Sequence, residues 1–227
     1  AQRISTHPYF EDRILLIKNF KNNKNNNFNT YYNNRFNYIK AKFIGYSDNH
    51  DMINYLDEPF KTYAESIKYA RNGNLKMSLE GINQIIEKDY NNSFLMETKA
   101  DILYSHGFTN EAVKFYKKNL KQFPFNYYAH IRIFENIETK ELSLYEIENI
   151  FEENKVLLYK FFNNKNILLK YLNLAQQLNK GDWINFLNFY LSIEQKSKEQ
   201  IFKKINYFKK TKDMNLLEFI NKIESSI

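Results

Sequence analysis

The sequence predicts an all-α protein built from paired helices. Three observations predict it. Only five Gly and three Pro punctuate 227 residues, fewer turn residues than sheet-rich folds need. Apolar residues recur with the 3.6-residue period of amphipathic helices through most of the chain. Two turn glycines, Gly73 and Gly107, stand 34 positions apart, each between two helical patterns.

The first helix is expected to begin at Pro8, since proline is tolerated in a first turn, and carries Ile14, Ile17 and Phe20. Ten Asn then fall between Asn19 and Asn37. Asn competes for backbone hydrogen bonds and is a poor helix former, so 19–37 reads as a solvated loop. A second helix follows over Arg35–Tyr46, with Phe36, Ile39 and Phe43 on one face, and a short one around Met52–Leu56 leads into Pro59. This lead-in, residues 1–57, precedes a helical array over 58–227.

Within the array, Tyr63–Arg71 and Leu75–Asp89 form one pair around Asn72-Gly73-Asn74. Phe94–His106 and Asn110–Phe123 form a second around Gly107. Small residues recur in step, Ser66 with Ala100 and Ser78 with Ala112, where paired helices approach closely. A period of 34 with these features resembles the tetratricopeptide (TPR) repeat, and Pro124 falls where such a unit ends. The resemblance implies a right-handed superhelix. Asn119 departs from the pattern, standing where a small apolar residue is usual, and Tyr90 replaces a terminal Pro. A third unit starts at Tyr127 without a turn glycine. Helical patterns then cover 144–151, 167–178, 183–193, 201–208 and 216–223, with Gly181-Asp182 as a turn and Asp182 as a candidate N-cap. Each unit needs a neighbour to bury its apolar face.

Composition bounds the chemistry. There is no Cys, which removes disulfides, thiol catalysis and Cys-type zinc sites. No apolar run approaches the ~18 residues of a membrane span, and no signal peptide is visible. The net charge of +7 and the abundance of Asn, Lys, Ile, Phe and Tyr follow from AT-rich codons as readily as from an anionic partner. Nucleic acid is therefore not an expected partner. The stretch Lys196–Lys212 holds seven Lys and one Glu around the stripe Ile201, Ile205, Phe208. It reads as a helix with a solvated Lys face, or as a contact with an anionic membrane surface.

Four histidines are present, His7, His50, His106 and His130, and no two have the i, i+4 spacing of a helical zinc site. His106 is expected at a helix C-terminus, where the macrodipole favours a cation. His130 falls inside a helical pattern, and His50 lies in a polar stretch between Asp48 and Asp51. No phosphate-binding Gly-rich loop or nucleophile elbow occurs.

The segment Ser5-Thr6-His7-Pro8, followed by Glu11-Asp12-Arg13-Ile14, resembles the stretch just after the catalytic core in zinc metallopeptidases of the BepA and HtpX kind. The BepA-type branch also carries two-helix repeats downstream. The zinc-binding His-Glu-x-x-His motif of that family is absent from this sequence. The resemblance implies a non-catalytic C-terminal TPR region of a bacterial cell-envelope or periplasmic zinc metalloendopeptidase, acting in protein quality control. Its catalytic domain would precede Ala1, be a partner of the array and hold the zinc; this chain alone would not be an enzyme. His7 would then be an oxyanion donor or a ligand filling the open zinc position, with Arg13 supporting it. A free-standing TPR adaptor is the alternative. In either case the first helix of each pair is expected to line a groove for a protein or peptide, through Phe60, Tyr63, Arg71, Phe94, Glu97, Tyr104 and Tyr128.

Overall fold

The structure, a computed structural model, describes residues 26–47 and 50–226. Among these residues there is no strand; the fold is all-α. The chain divides after Lys88 into two compact units.

In the first unit, helix α1 (Asn26–Tyr46) packs on α2 (Phe60–Arg71), and α2 packs on α3 (Leu75–Lys88). A short 3-10 helix (His50–Tyr55) rests on α1 and α2. Helices α1 and α2 thus pack together across position 57/58, where the sequence reading divided the chain. The core is Tyr38, Ala41, Ile44, Ile53, Leu56, Tyr63, Ala64, Ile67, Ile82 and Ile85.

One expectation for α1 is corrected. The backbone is helical from Asn26, not looped to Asn37; positions 19–25 lie outside the described residues. Asn is a weak helix former, but burial of Tyr38, Ala41 and Ile44 against α2 supplies what propensity lacks. Phe36, Ile39 and Phe43, which share one face as the sequence places them, are exposed. The helix carries apolar residues on two opposite faces, and the other one is packed.

The second unit runs α4 (Ser93–Ser105), α5 (Thr109–Gln122), α6 (Tyr127–Glu135), α7 (Leu144–Glu153), α8 (Lys155–Lys160), α9 (Lys165–Gln177), α10 (Gly181–Leu191), α11 (Lys198–Phe208) and α12 (Met214–Glu224). A one-turn 3-10 helix (Ile193–Gln195) follows α10. Helix α4 pairs with α5, α5 with α6, α9 with α10, and α11 with α12. The helical patterns read from the sequence lie within these helices to a few residues at each end; α8 was not foreseen.

The turns of the two pairs share one geometry. Gly73 has φ +77° and Gly107 has φ +83°. Asn74 N–H donates to Tyr69 O at 2.8 Å and Phe108 N–H to Leu103 O at 2.9 Å. This six-to-one bond around a left-handed residue is the Schellman helix ending. The third example is Asn179, at φ 54°, with Lys180 N–H on Ala175 O at 2.9 Å. The left-handed position of that turn is Asn179 rather than Gly181. Asp182 is not an N-cap; it sits in the first turn of α10 and accepts from Thr211 Oγ1 at 2.6 Å.

The second helices of the two pairs bury the same positions. Ser78, Ile82 and Ile85 are buried in α3, and Ala112, Tyr116 and Asn119 in α5, each 34 residues on. The departure at Asn119 is compensated. Its Nδ2 donates to Ser93 O at 2.7 Å, and its Oδ1 accepts from Asn126 Nδ2 at 2.8 Å. A buried carboxamide with its groups bonded avoids the desolvation penalty of an orphan. In the first unit Ser66 Oγ donates to Thr62 O at 2.7 Å beside Gly81, where a Cβ would lie 2.4 Å from that oxygen.

The larger core gathers around Trp183, buried on α10. Its ring stacks on Phe219 at 5.9 Å, meets Phe151 edge-on at 5.3 Å, and its Nε1 donates to Asp213, the N-cap of α12, at 2.7 Å. Ile201 and Ile205 of α11 are buried in the same core, with Phe208 packed against it. Lys203 and Lys204 of α11, and Lys210 just after it, are exposed.

Candidate functional site

Helices α4, α6 and α9 of the second unit carry a connected set of polar and aromatic side chains. Two Asn caps set it up. Asn92 accepts from Phe94 N–H at 3.0 Å to start α4, and Asn126 accepts from Ala129 N–H at 3.2 Å to start α6. Asn126 also donates to Glu97 Oε2 at 2.7 Å, tying the start of α6 to α4.

One turn further along α4, Asp101 Oδ1 accepts from Tyr116 OH at 2.7 Å and from Tyr128 OH at 2.8 Å. Burial, and then the Asp101 charge, push both phenols above their ordinary range. Both therefore stay protonated donors at neutral pH. Arg132 Nε donates to Tyr128 OH at 3.2 Å and Nη1 to Glu135 Oε2 at 3.3 Å. Its guanidinium lies 4.8 Å from the Tyr104 ring centroid and 5.2 Å from that of Tyr128, within cation–π range. Burial alone would lower its pKa; the hydrogen bond to Tyr128 and the charge of Glu135 outweigh that and hold it cationic.

Beyond Arg132 the surface opens into a cleft of about 490 Å³, lined by Tyr104, Glu135, Asn136, Asn166, Leu169, Lys170 and Asn173. Asn136 is fixed by donation to Arg132 O at 2.7 Å. Lys170 Nζ donates to Ile137 O, and burial lowers its pKa against the opposing charge of Glu138. Asn166, Leu169 and Asn173 are exposed on α9. A second cleft of about 470 Å³, bounded by Gly107–Glu111 and residues 135–138, shares Glu135 and Asn136 with the first. The first cleft offers carboxamides, a carboxylate, an ammonium and a ring edge. That set can hydrogen-bond the main chain of an extended peptide while seating one apolar side chain on Tyr104 or Leu169.

Of the groove residues expected from sequence, Tyr104 lines this cleft, and Tyr128 and Glu97 belong to the network beside it. Phe94, at the start of α4, is half-buried. The other three lie in the first unit. Tyr63 is 0% exposed, edge-on to Tyr38 at 5.3 Å, and so is a core residue rather than a groove residue. Phe60 is half-buried against the same ring at 5.0 Å. Arg71 donates from Nη1 to Tyr46 O at 2.6 Å and Ser47 O at 3.2 Å, at the C-terminal end of α1 where a cation is favoured.

His7 and Arg13 lie outside the described residues. His106 follows α4 as its C-cap, with Nδ1 2.8 Å from Ile102 O, and His130 Nε2 lies 2.8 Å from Pro124 O. Among the described residues no group of three or more His, Asp or Glu side chains could hold a metal ion. No helix there is long and apolar enough to cross a membrane.

Sequence reasoning missed Asp101, Arg132 and the α9 residues. One signal pointed to the first: Asp101 stands 34 residues after the buried Ile67. A charge where the repeat expects an aliphatic core residue marks a position with another task. Comparison with protein-family models, with curated proteins and with solved structures finds no match to this chain.

Proposed function

We propose that this chain is a protein-binding module of paired TPR-like helices that holds an extended peptide segment along α4, α6 and α9. The observation that carries the reading is the cleft of Tyr104, Asn136, Asn166, Lys170 and Asn173, rimmed by the Arg132–Tyr104–Tyr128 cluster. Its polar groups sit on helices, so little ordering is needed to bind. The 34-residue recurrence of turns and buried positions supports the repeat, and a right-handed superhelix is its expected overall form.

The test is a screen of immobilised peptides, about 15 residues long, against the full chain. Peptides that bind should lose about tenfold or more on Tyr104→Ala and on Asn173→Ala, and keep their affinity on Leu144→Ala, which alters an exposed residue of α7. Binding indifferent to Tyr104 and Asn173 would refute the site.

The resemblance at His7 and Arg13 extends the proposal. In that reading the module presents substrate or partner proteins to the catalytic domain of a bacterial cell-envelope zinc metalloendopeptidase. It rests on residues outside those described, so its test lies in the gene. Coding sequence upstream of Ala1 must contain a His-Glu-x-x-His helix; without one, the free-standing adaptor is the function.

A further inference from the structure

The positive charge of this chain is gathered in one place. Seven of its 33 basic residues and one of its 26 acidic residues fall between Lys196 and Lys212, so that stretch carries +6 of the net +7. Codon bias raises Lys throughout a chain and does not concentrate it. Helix α11 fills the middle of the stretch. Its Ile201 and Ile205 are buried, with Phe208 packed on the same core. At about 100° per residue, Phe202, Lys203, Asn206 and Tyr207 lie across the helix from that stripe. All four are exposed, Phe202 at 42% and Tyr207 at 63%. Lys204 borders the same face, with Nζ 5.4 Å from the Tyr207 ring centroid. Lys198 stands one turn before Phe202, and Lys210 and Lys212 follow the helix; all three are exposed.

Carboxylates of the chain do not neutralise this face. Glu224 takes Lys209, and Asp213 is engaged in capping α12 and accepting from Trp183. Glu199 is the single acid of α11. Lys198, Lys203, Lys204, Lys210 and Lys212 form no ion pair among the described residues. Two features select the partner. The stretch has no Arg, the side chain that grips individual phosphates bidentately. Its charge is instead spread over ~18 Å of helix, which suits attraction summed over many anionic headgroups without fixed geometry. The exposed Phe202 and Tyr207 rings sit among the lysines, and such rings favour the headgroup layer. We propose that the outer face of α11 docks on an anionic lipid surface, with the lysines over the headgroup charges and the two rings between them. The apolar stripe of α11 is already committed to the core, so the helix rests on the surface by its charged face and the attachment is reversible. This face shares no residue with the α4–α6–α9 cleft.

The experiment is flotation of the full chain with vesicles of phosphatidylcholine, alone or with about one-third phosphatidylglycerol. The chain should float with the anionic vesicles and not with the neutral ones, and about 0.5 M NaCl should release it. Lys203→Gln, Lys204→Gln and Lys210→Gln together should lower the partition coefficient about tenfold or more. Thermal stability should stay unchanged, as expected of exposed positions. Lys114→Gln, Lys117→Gln and Lys121→Gln remove the same charge from an exposed face of α5 and should change partitioning less than about twofold. Phe202→Ser combined with Tyr207→Ser should weaken binding severalfold at constant charge. No flotation, equal flotation with both vesicle types, or equal losses from the two Lys triples overturns the proposal. So does a single-stranded oligonucleotide that binds more tightly than the anionic vesicles and depends on the same three lysines of 203–210, which would name nucleic acid as the occupant.

Discussion

The contact between Gly81 and Ser66 makes a sharp test of how closely α2 and α3 approach. An Ala at 81 in the middle of α3 would gain about 0.5–1 kcal/mol, because Gly loses more backbone freedom on folding. Its Cβ would lie 2.4 Å from Ser66 Oγ, however, so that hydroxyl must move. Ser66 is buried and bonded to Thr62 O. Swinging it away breaks that bond and strands a buried donor, at about 1–3 kcal/mol. Gly81→Ala alone should therefore lower stability by ~0.5–2 kcal/mol, the clash exceeding the propensity gain. With Ser66→Ala also present, the nearest atoms become Thr62 Cγ2 at 3.5 Å and the former Ser66 Cβ at 3.6 Å, ordinary contacts. The substitution at 81 should then stabilise by its full ~0.5–1 kcal/mol. The cycle predicts a favourable coupling of about 1–3 kcal/mol. Urea unfolding of the four proteins, followed by far-UV circular dichroism, measures it. Gly81→Ala that is neutral or stabilising in the wild-type background, with no coupling to position 66, would refute the close approach.

Ser78 is buried and its Oγ has no hydrogen-bond partner, while Ala112 occupies the position 34 residues on; Ser78→Ala should raise stability by about 1 kcal/mol in the same unfolding assay. Phe219→Ala removes a fully buried ring packed on Trp183, Phe186 and Tyr159, and should cost about 3–5 kcal/mol. Hydrogen bonds from Ser143 N–H and Oγ hold the Glu146 carboxyl below its ordinary pKa of 4.5. Its contribution to stability is therefore present above that value and lost as pH falls through the lowered one. A carboxyl titration by NMR should show this, and Ser143→Ala should move Glu146 back toward the ordinary value.

The turns were legible because a left-handed backbone position selects for few residues. Gly73 and Gly107 announced themselves, and Asn179 did not, since Asn serves many other roles. The inward face of α1 was not legible. Periodicity names a face but not its direction, and Phe36–Ile39–Phe43 competes with Tyr38–Ala41–Ile44 on equal terms until α2 is in place. The Asn-rich start of α1 was misread for a related reason: local propensity is weak beside tertiary burial. Tyr63 and Tyr104 both looked like groove aromatics. Tyr63 instead meets Tyr38, contributed by α1 from outside the repeat, and nothing in the repeat spacing shows that contact. In the candidate site, Tyr104, Tyr128 and Glu97 were readable from the first-helix rule. Arg132 and Asn173 depend on how α6 and α9 come together, which single-sequence spacing does not encode.

The sole tryptophan of the chain turns its two-part architecture into an optical assay. Trp183 is 1% exposed and belongs to the second unit. Its emission should be blue-shifted in the folded protein and red-shift only when that unit opens. Circular dichroism, by contrast, sums the helices of both units. Plotted together, the two signals separate a single cooperative unfolding from a sequential one. Coincident curves would mean that the halves of the molecule melt together. An ellipticity loss that precedes the change in emission would mean that α1–α3 can unravel while the peptide cleft persists.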